Sequence, residues 1–257
     1  MVDVLFVGEY LTTHILFNKG WLDFMYGSQI KDESAYFKEA LLSSGFKVTH
    51  IPTYTAGIEF PENLEEMSKY NVIILSDVGS NTLILHPDVV FKGKPRPNRL
   101  KLIKEYVEGM GGGFLMIGGY FSYQGLNGFA HYKNTPVEEI LPVELMEFDD
   151  RIEIPEGFKP RIVESEHAIL KDLPIDWPIL FGYNKTKLKK KAELLIEYNG
   201  GPILAVWNVG NGRAASFTSD CAPHWASPEF LNWQYYKMFW RNVILWLAKQ
   251  DKALAPI

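Results

Sequence analysis

The chain has almost no cysteine: Cys221 is the one thiol in 257 residues. That excludes an internal disulfide and any metal site built from several cysteines, and it fits a reducing, cytoplasmic setting. Positive charge is not in surplus either. Twenty-six Lys and Arg against 31 Asp and Glu leave a net charge of −5, which argues against a nucleic-acid binder acting through bulk electrostatics. No apolar run approaches membrane-spanning length. The N-terminus, MVDVLFVGEY, places an acid at position 3 and enters a strand at once, unlike a signal peptide. No repeat, low-complexity tract or linker breaks the chain, so one domain over 1–257 is expected. No motif calls for a cofactor or a metal. The expected partner is a small-molecule ligand, with no nucleic acid and no membrane.

Gly111 to Gly125, GGGFLMIGGYFSYQG, is the most informative stretch of the chain. An apolar run this short between glycines reads as a strand buried on both faces, as in parallel sheets. Gly118-Gly119 then permits a sharp turn, and polar side chains after it arrive where open α/β sheets bind ligands. Upstream, Val2–Val7, Lys47–Ile51 and Val72–Leu75 read as strands alternating with helices, one capped by Asp32 and ended by Gly45, the next over about Glu62–Tyr70. This β-α-β-α-β order predicts a parallel sheet with helices on both faces. Leu11–Gln29 is a long insertion carrying Phe17, Trp21, Phe24 and Tyr26, and Leu83–Asn98 is a loop long enough to form a lid or a flank.

Asn98 caps a helix into the central strand, and Thr135-Pro136-Val137-Glu138 forms a capping box. Beyond Leu141 the pattern turns antiparallel: Glu144–Ile154, Phe158–Glu164, a short strand at Ile179–Phe181 leading into Gly182, Tyr183 and Asn184, then a meander over Leu194–Tyr198, Ile203–Asn208 and Arg213–Phe217. A final helix, about Pro228–Lys249, is apolar on several sides, which predicts association into a homodimer or higher homo-oligomer.

This order resembles the class I glutamine amidotransferase-like fold, a three-layer flavodoxin-like sheet with a parallel core and an antiparallel C-terminal extension. The local wording is similar to an amidotransferase-like, ThuA-related branch, in Gly113-Phe114-Leu115-Met116-Ile117-Gly118-Gly119-Tyr120, Thr135-Pro136-Val137-Glu138-Glu139, Glu166-His167-Ala168-Ile169-Leu170, and Gly210-Asn211-Gly212-Arg213 through Thr218-Ser219-Asp220. The resemblance implies a cysteine nucleophile at the sharp turn after the central strand, and a late His-Pro-Glu. Here the turn is Gly118-Gly119-Tyr120, and Ser219-Asp220 stands where the late motif would fall. Cys221 follows a different strand. Glutamine hydrolysis by the family mechanism is therefore not expected.

The candidate ligand-binding residues are those following predicted strands: Glu9, Asp77, Gly118, Gly119, Tyr120, Ser122, Gln124, Tyr183, Asn184, Asp220 and His224. Asp220, His224 and Glu9 are also the catalytic candidates. Asp220 and His224 read either as an acid–base pair or as a turn cap beside a packed aromatic. Ser122 lies outside a G-x-S-x-G elbow and reads as a turn residue. A metal bound by Asp77, Asp220 and His224 has no spacing motif behind it. His131 and His167 read as packing or surface residues, and Lys185–Lys191 as a solvated face. Side chains at 118 or 119 would project toward the floor of the pocket, so glycine there is expected to keep it open. Three functions follow: binding or modifying a small polar, sugar-like metabolite, a non-catalytic self-associating scaffold, or a hydrolase using Asp220 and His224.

Overall fold

In the computed structural model, residues 1–21 and 23–251 are described, apart from the Phe24 side chain. The chain forms β1 (Asp3–Gly8), β2 (Tyr10–Lys19), β3 (Asp23–Asp32), α1 (Ala35–Ser43), β4 (Lys47–Ile51), α2 (Ala56–Glu59), α3 (Leu64–Met67) and β5 (Val72–Ser76). It continues through α4 (Ser80–Ile84), α5 (Pro87–Lys92), α6 (Arg99–Glu108), β6 (Gly113–Ile117), α7 (Pro136–Ile140), β7 (Val143–Leu145), β8 (Arg151–Phe158) and β9 (Arg161–Ile162). Last come β10 (Leu180–Asn184), β11 (Thr186–Leu188), β12 (Glu193–Tyr198), β13 (Gly201–Val209), β14 (Gly212–Phe217), α8 (Pro228–Leu231) and α9 (Tyr236–Leu247).

One eight-stranded sheet, ordered β4-β1-β5-β6-β14-β13-β12-β9, carries the fold. Its first five strands are parallel, and β13, β12 and β9 extend it antiparallel. Consecutive residues of the parallel strands face opposite cores. Val4, Phe6, Ile74, Leu115 and Ile117 pack under α1 and α9, while Leu5, Val7, Ile73, Leu75, Phe114 and Met116 pack under α6 and α7. Burial on both faces explains why these strands read as unbroken apolar runs. Because β14 runs parallel to β6, its exit at Thr218–Asp220 meets the exits of β1, β5 and β6 at one edge.

Two expectations change and a third, lid or flank, is narrowed to one of its alternatives. The Leu11–Gln29 insertion is the β2–β3 hairpin, paired over ten residues from Tyr10↔Asp32 to Lys19↔Asp23. It carries apolar residues without alternation, because among the described residues neither face lies on a core; Leu16 is 67% and Trp21 90% exposed. The final helix is two, α8 and α9, separated by Asn232, whose side-chain amide turns back to Pro228 O, and by Trp233 against Trp177. The apolar sides of α9 are covered within the chain by α1, the sheet and the 168–170 turn, where Asn242 Nδ2 donates to Ile169 O. The helix therefore supplies no argument for self-association. Lastly, Leu83–Asn98 is a pinned flank built on α4 and α5, held where Arg96 bonds both Glu62 and Asp88. In the lysine run, Lys189 is drawn in to Glu139 O and lies over Trp207, and Lys185, Lys187, Lys190 and Lys191 are solvent-facing.

Candidate functional site: an acidic cavity at the strand exits

The sheet edge is shaped by backbone that only certain residues accept. Gly8 has φ +125°, and a Cβ there would stand 1.6 Å from Ser76 O, so β1 and β5 approach closely only with glycine at this point. The next residue of each strand exit is left-handed: Glu9 at φ 57° and Asp77 at φ 51°. His224 follows with φ 128°. Non-glycine residues held this way cost about 1–3 kcal/mol each, and such strain gathers at functional sites. Here it aims the Glu9 and Asp77 carboxyls over the sheet edge.

A cavity of about 590 Å³ opens there. Glu9, Asp77 and Asp220 bring carboxyls to it, with Glu33 entering from the return of the hairpin, and Tyr10, Tyr54, Tyr120, Phe121 and Phe129 form its aromatic walls. Ser76 Oγ donates to Glu9 Oε1 at 2.5 Å, and the Cys221 thiol lies 3.9 Å from the same oxygen. Asp77 Oδ1 accepts from Phe121 N at 2.8 Å, and Asp220 Oδ1 from Ala222 N at 2.9 Å. Among the described residues, no Lys or Arg pairs with these three acids or lines the cavity.

Three acids crowded without a cation resist ionisation. Burial, and then the charge of Asp77, pushes the Glu9 carboxyl up to about 8. Burial pushes Asp77 up to about 6. Asp220 is raised well above the ordinary range by burial and by the charges of Glu9 and Asp77. The same environment raises the Cys221 thiol, a fully buried group far from the thiolate a nucleophile needs. Glu9, Asp220 and Cys221 bring donor atoms within 4.8 Å of one another. A metal held there would have two carboxylates and a thiol that must first lose its proton. This grouping is not the Asp77, Asp220 and His224 set considered from the sequence.

Of the residues proposed from the sequence, Glu9, Asp77, Tyr120, Asp220 and His224 line this cavity. His224 does not pair with Asp220, however. Its Nε2 lies 3.6 Å from Glu153 Oε2, and the Glu153 carboxylate also accepts from Tyr120 OH and Trp225 Nε1. Five candidates sit elsewhere. Gly118 faces the backbone of the neighbouring strand exit, where a Cβ would meet Thr218 O at 2.1 Å. Ser122 is buried and accepts from Asp77 N, and Gln124 is buried with its amide on Glu147 O and Lys133 N. Tyr183 packs against Phe158 and Tyr198, because β10 pairs antiparallel with β8 and is no exit of the parallel sheet. Asn184, at 0% exposure, lies beneath the turn, bonding both Gly119 N and Gly119 O and reaching Asp150.

The Gly119 expectation also changes. With φ +146°, its Cβ would strike Asp77 Oδ1 at 2.0 Å, so a side chain there would displace an acid and strain the turn as well as narrow the cavity. Sequence reasoning missed Glu33, Tyr54 and Phe129. Tyr54 follows β4, an exit of the same parallel sheet, and that rule alone points to it; Glu33 becomes visible only once the insertion is known to return to its origin.

The open parallel sheet, the sharp glycine turn after β6 and the convergence of exits define a class I glutamine amidotransferase-like protein. The family model described as "Putative glutamine amidotransferase" matches residues 3–249, and the chain belongs to that family. It is similar to the structures of two cytoplasmic proteins from Salmonella typhimurium. One is 37% identical, with TM-score 0.91, over 95% of this chain and 98% of that one. The other, from strain LT2, is 38% identical, with TM-score 0.91, over 96% and 99%. A ThuA-like protein from Parabacteroides merdae shares the fold, at 13% identity and TM-score 0.56, over 97% and 90%. No curated protein matches the chain. Among the described residues, no helix is long and apolar enough to cross a membrane.

Proposed function

We propose that this is an amidotransferase-like protein without glutaminase activity that binds, and through its acids can modify, a small polar metabolite at the C-terminal edge of the sheet. The reading rests above all on the convergence of Glu9, Asp77 and Asp220 in one aromatic-walled cavity, whose volume of about 590 Å³ suits a small ligand. Two of those acids, Glu9 and Asp77, sit on left-handed backbone at the strand exits. Against glutamine hydrolysis stand the absence of a thiol at the Gly118-Gly119 turn and the burial of Cys221. Both Salmonella relatives are cytoplasmic proteins, which supports the same setting here.

The test has two arms. Purified protein is incubated with glutamine, and no ammonia should be released. It is then incubated with fractionated small-molecule extracts and re-isolated under native conditions for mass spectrometry. A bound species below the size of a nucleotide, lost in Asp77→Asn, is expected. Ammonia release abolished by Cys221→Ser would sink the first half of the proposal. Extracts that leave the protein bare would sink the second.

One observation favours a second role, self-association. Leu16, Trp21, Met25 and Tyr26 are 67%, 90%, 63% and 60% exposed along a hairpin rooted at the cavity. Exposed apolar ribbons of this kind mark contact surfaces. Light scattering should give a mass above one chain, falling to one chain when Leu16, Trp21 and Met25 are replaced by Thr. A monomeric parent protein removes this role.

A further inference from the structure

The charge of the cavity narrows its ligand class. We propose that the site selects a small organic cation, an amine, over neutral polyols and over anions; this rests on the reading above that the cavity takes a small ligand. Four acids line it, Glu9, Glu33, Asp77 and Asp220, and among the described residues neither lysine nor arginine does. The one imidazole there, His224, is lowered by burial and so contributes little positive charge near neutral pH.

The acids are not an ordinary solvated cluster. Glu9 is 3% exposed, yet it lines the cavity, and among the described residues only its Oε1 is hydrogen-bonded. Its Oε2 is left for something inside the cavity. Asp77 repeats the pattern, with Oδ1 on Phe121 N and, among the described residues, no partner at Oδ2. Both oxygens keep some accessible surface in the cavity, so a ligand there can reach them and donate to them. An ammonium supplies both donors and the missing charge.

The walls point the same way. Five aromatic rings surround an acidic floor, the combination that holds the alkyl body of an amine and attracts its charge. A hydroxyl-rich neutral ligand could donate to the same oxygens but would bring no charge to favour their ionised form. An anion would add a like charge to them. A bare metal ion would use Glu9, Asp220 and Cys221 and leave the aromatic walls without a role.

A proton-linked consequence separates these classes. The groups facing Glu9 are Ser76 at the end of β5 and Asp77 just after it, Asp220 and Cys221 after β14, and Glu33 at the end of the hairpin. None brings a positive charge, and Glu9 stays protonated up to about pH 8. An arriving ammonium favours the ionised carboxylates, so binding expels protons and strengthens as pH rises from about 6 to about 8. A neutral ligand that accepts from the protonated acids shows the opposite trend or none.

The experiment uses the full chain and length-matched probes of different charge: 1,4-diaminobutane, 1,4-butanediol and succinate, with glucose and Mg²⁺ or Zn²⁺ alongside. Calorimetry in two buffers of different ionisation enthalpy reads proton release on the unaltered protein. We expect the diamine to bind at least about tenfold more tightly than the diol, with net proton release, and with succinate undetected. Glu9→Gln and, separately, Asp77→Asn should each weaken the diamine by about tenfold or more while circular dichroism stays unchanged. If the diol, glucose or succinate binds and the diamine does not, the cation assignment falls and the small-ligand reading stands. Tighter binding of Mg²⁺ or Zn²⁺ than of the diamine, lost in Cys221→Ser, overturns the organic cation in favour of a metal. If no probe of any charge stabilises the protein, both readings fail together.

Discussion

The chain treats two groups of buried or half-buried acids in opposite ways. At the flank, Glu62 accepts from Arg99 and Arg96, each at 2.8 Å, and Asp88 takes Lys92 at 2.8 Å together with Arg96. Arg99 is 1% exposed and also caps Gly57 O. Asp88 is consequently held well below the usual carboxylate range, chiefly by Lys92 and Arg96. At the strand exits, Glu9, Asp77 and Asp220 have no such partner among the described residues and move the other way. The chain neutralises acids where they fasten helices to the sheet. It leaves them uncompensated where the exits converge, which is the pattern of a site kept open for a ligand at some expense in stability.

The comparison breaks first at Arg99. Replacing it by Leu leaves Glu62 with Arg96 and the more distant His86 Nε2 and strips the donor from Gly57 O. Removing one member of a buried pair costs about 3–5 kcal/mol; the partial exposure of Glu62 places the expected loss near the lower end, about 3 kcal/mol in urea unfolding. A loss below about 1 kcal/mol would mean that the flank is not held by this pair.

The exits should respond with the opposite sign. Glu9 ionises at about 8 when folded against an ordinary value of 4.5. Between those values the folded state binds more protons than the unfolded one, so stability falls as pH rises through the window and the penalty is complete above about 8. Below 4.5 both states are protonated and the penalty vanishes. Glu9→Gln removes that ionisation. The variant should match the parent near pH 5 and exceed it by about 2–3 kcal/mol above pH 8, a tenfold change in proton affinity being worth about 1.4 kcal/mol before water entering the cavity screens the charge. Equal stabilities at both pH values would show that Glu9 is already compensated.

The same contrast explains what could be read in advance. The parallel sheet was legible because both faces of Leu5–Val7, Ile73–Leu75 and Phe114–Ile117 are buried, which leaves an unmistakable apolar run bounded by glycines. Glu9, Asp77 and Asp220 were legible through topology, since exits of neighbouring parallel strands share an edge. Tyr183 and Asn184 misled because a short strand in the antiparallel part also ends in polar residues, and nothing local in a sequence states which sheet a strand joins. The β2–β3 hairpin was illegible for a different reason: without a buried face, its residues carry no period of two. The pairing of Glu62 with Arg99, 37 positions apart, left no trace in spacing at all.

The smallest effect is also the sharpest test of how the exits hold their protons. Cys221 Sγ stands 3.9 Å from Glu9 Oε1 and 3.7 Å from Ser76 Oγ, a weak donor beside an acid that already takes a hydroxyl proton from Ser76. Hydrogen bonds to the ionised form lower a carboxyl's pKa, and a hydroxyl donates better than a thiol. Cys221→Ser should therefore move the pH at which stability declines downward by about half a pH unit, with a change in stability at pH 5 of about 1 kcal/mol or less. Cys221→Ala, which removes the donor and leaves a small void, should move the same midpoint upward while lowering stability at every pH by a similar small amount. The midpoint, read from urea unfolding across pH, separates the electrostatic effect from the packing effect, since packing lowers the whole curve without moving it. Midpoints that stay where they are in both variants, whatever the change in height, would mean that Cys221 bears on this region through packing alone.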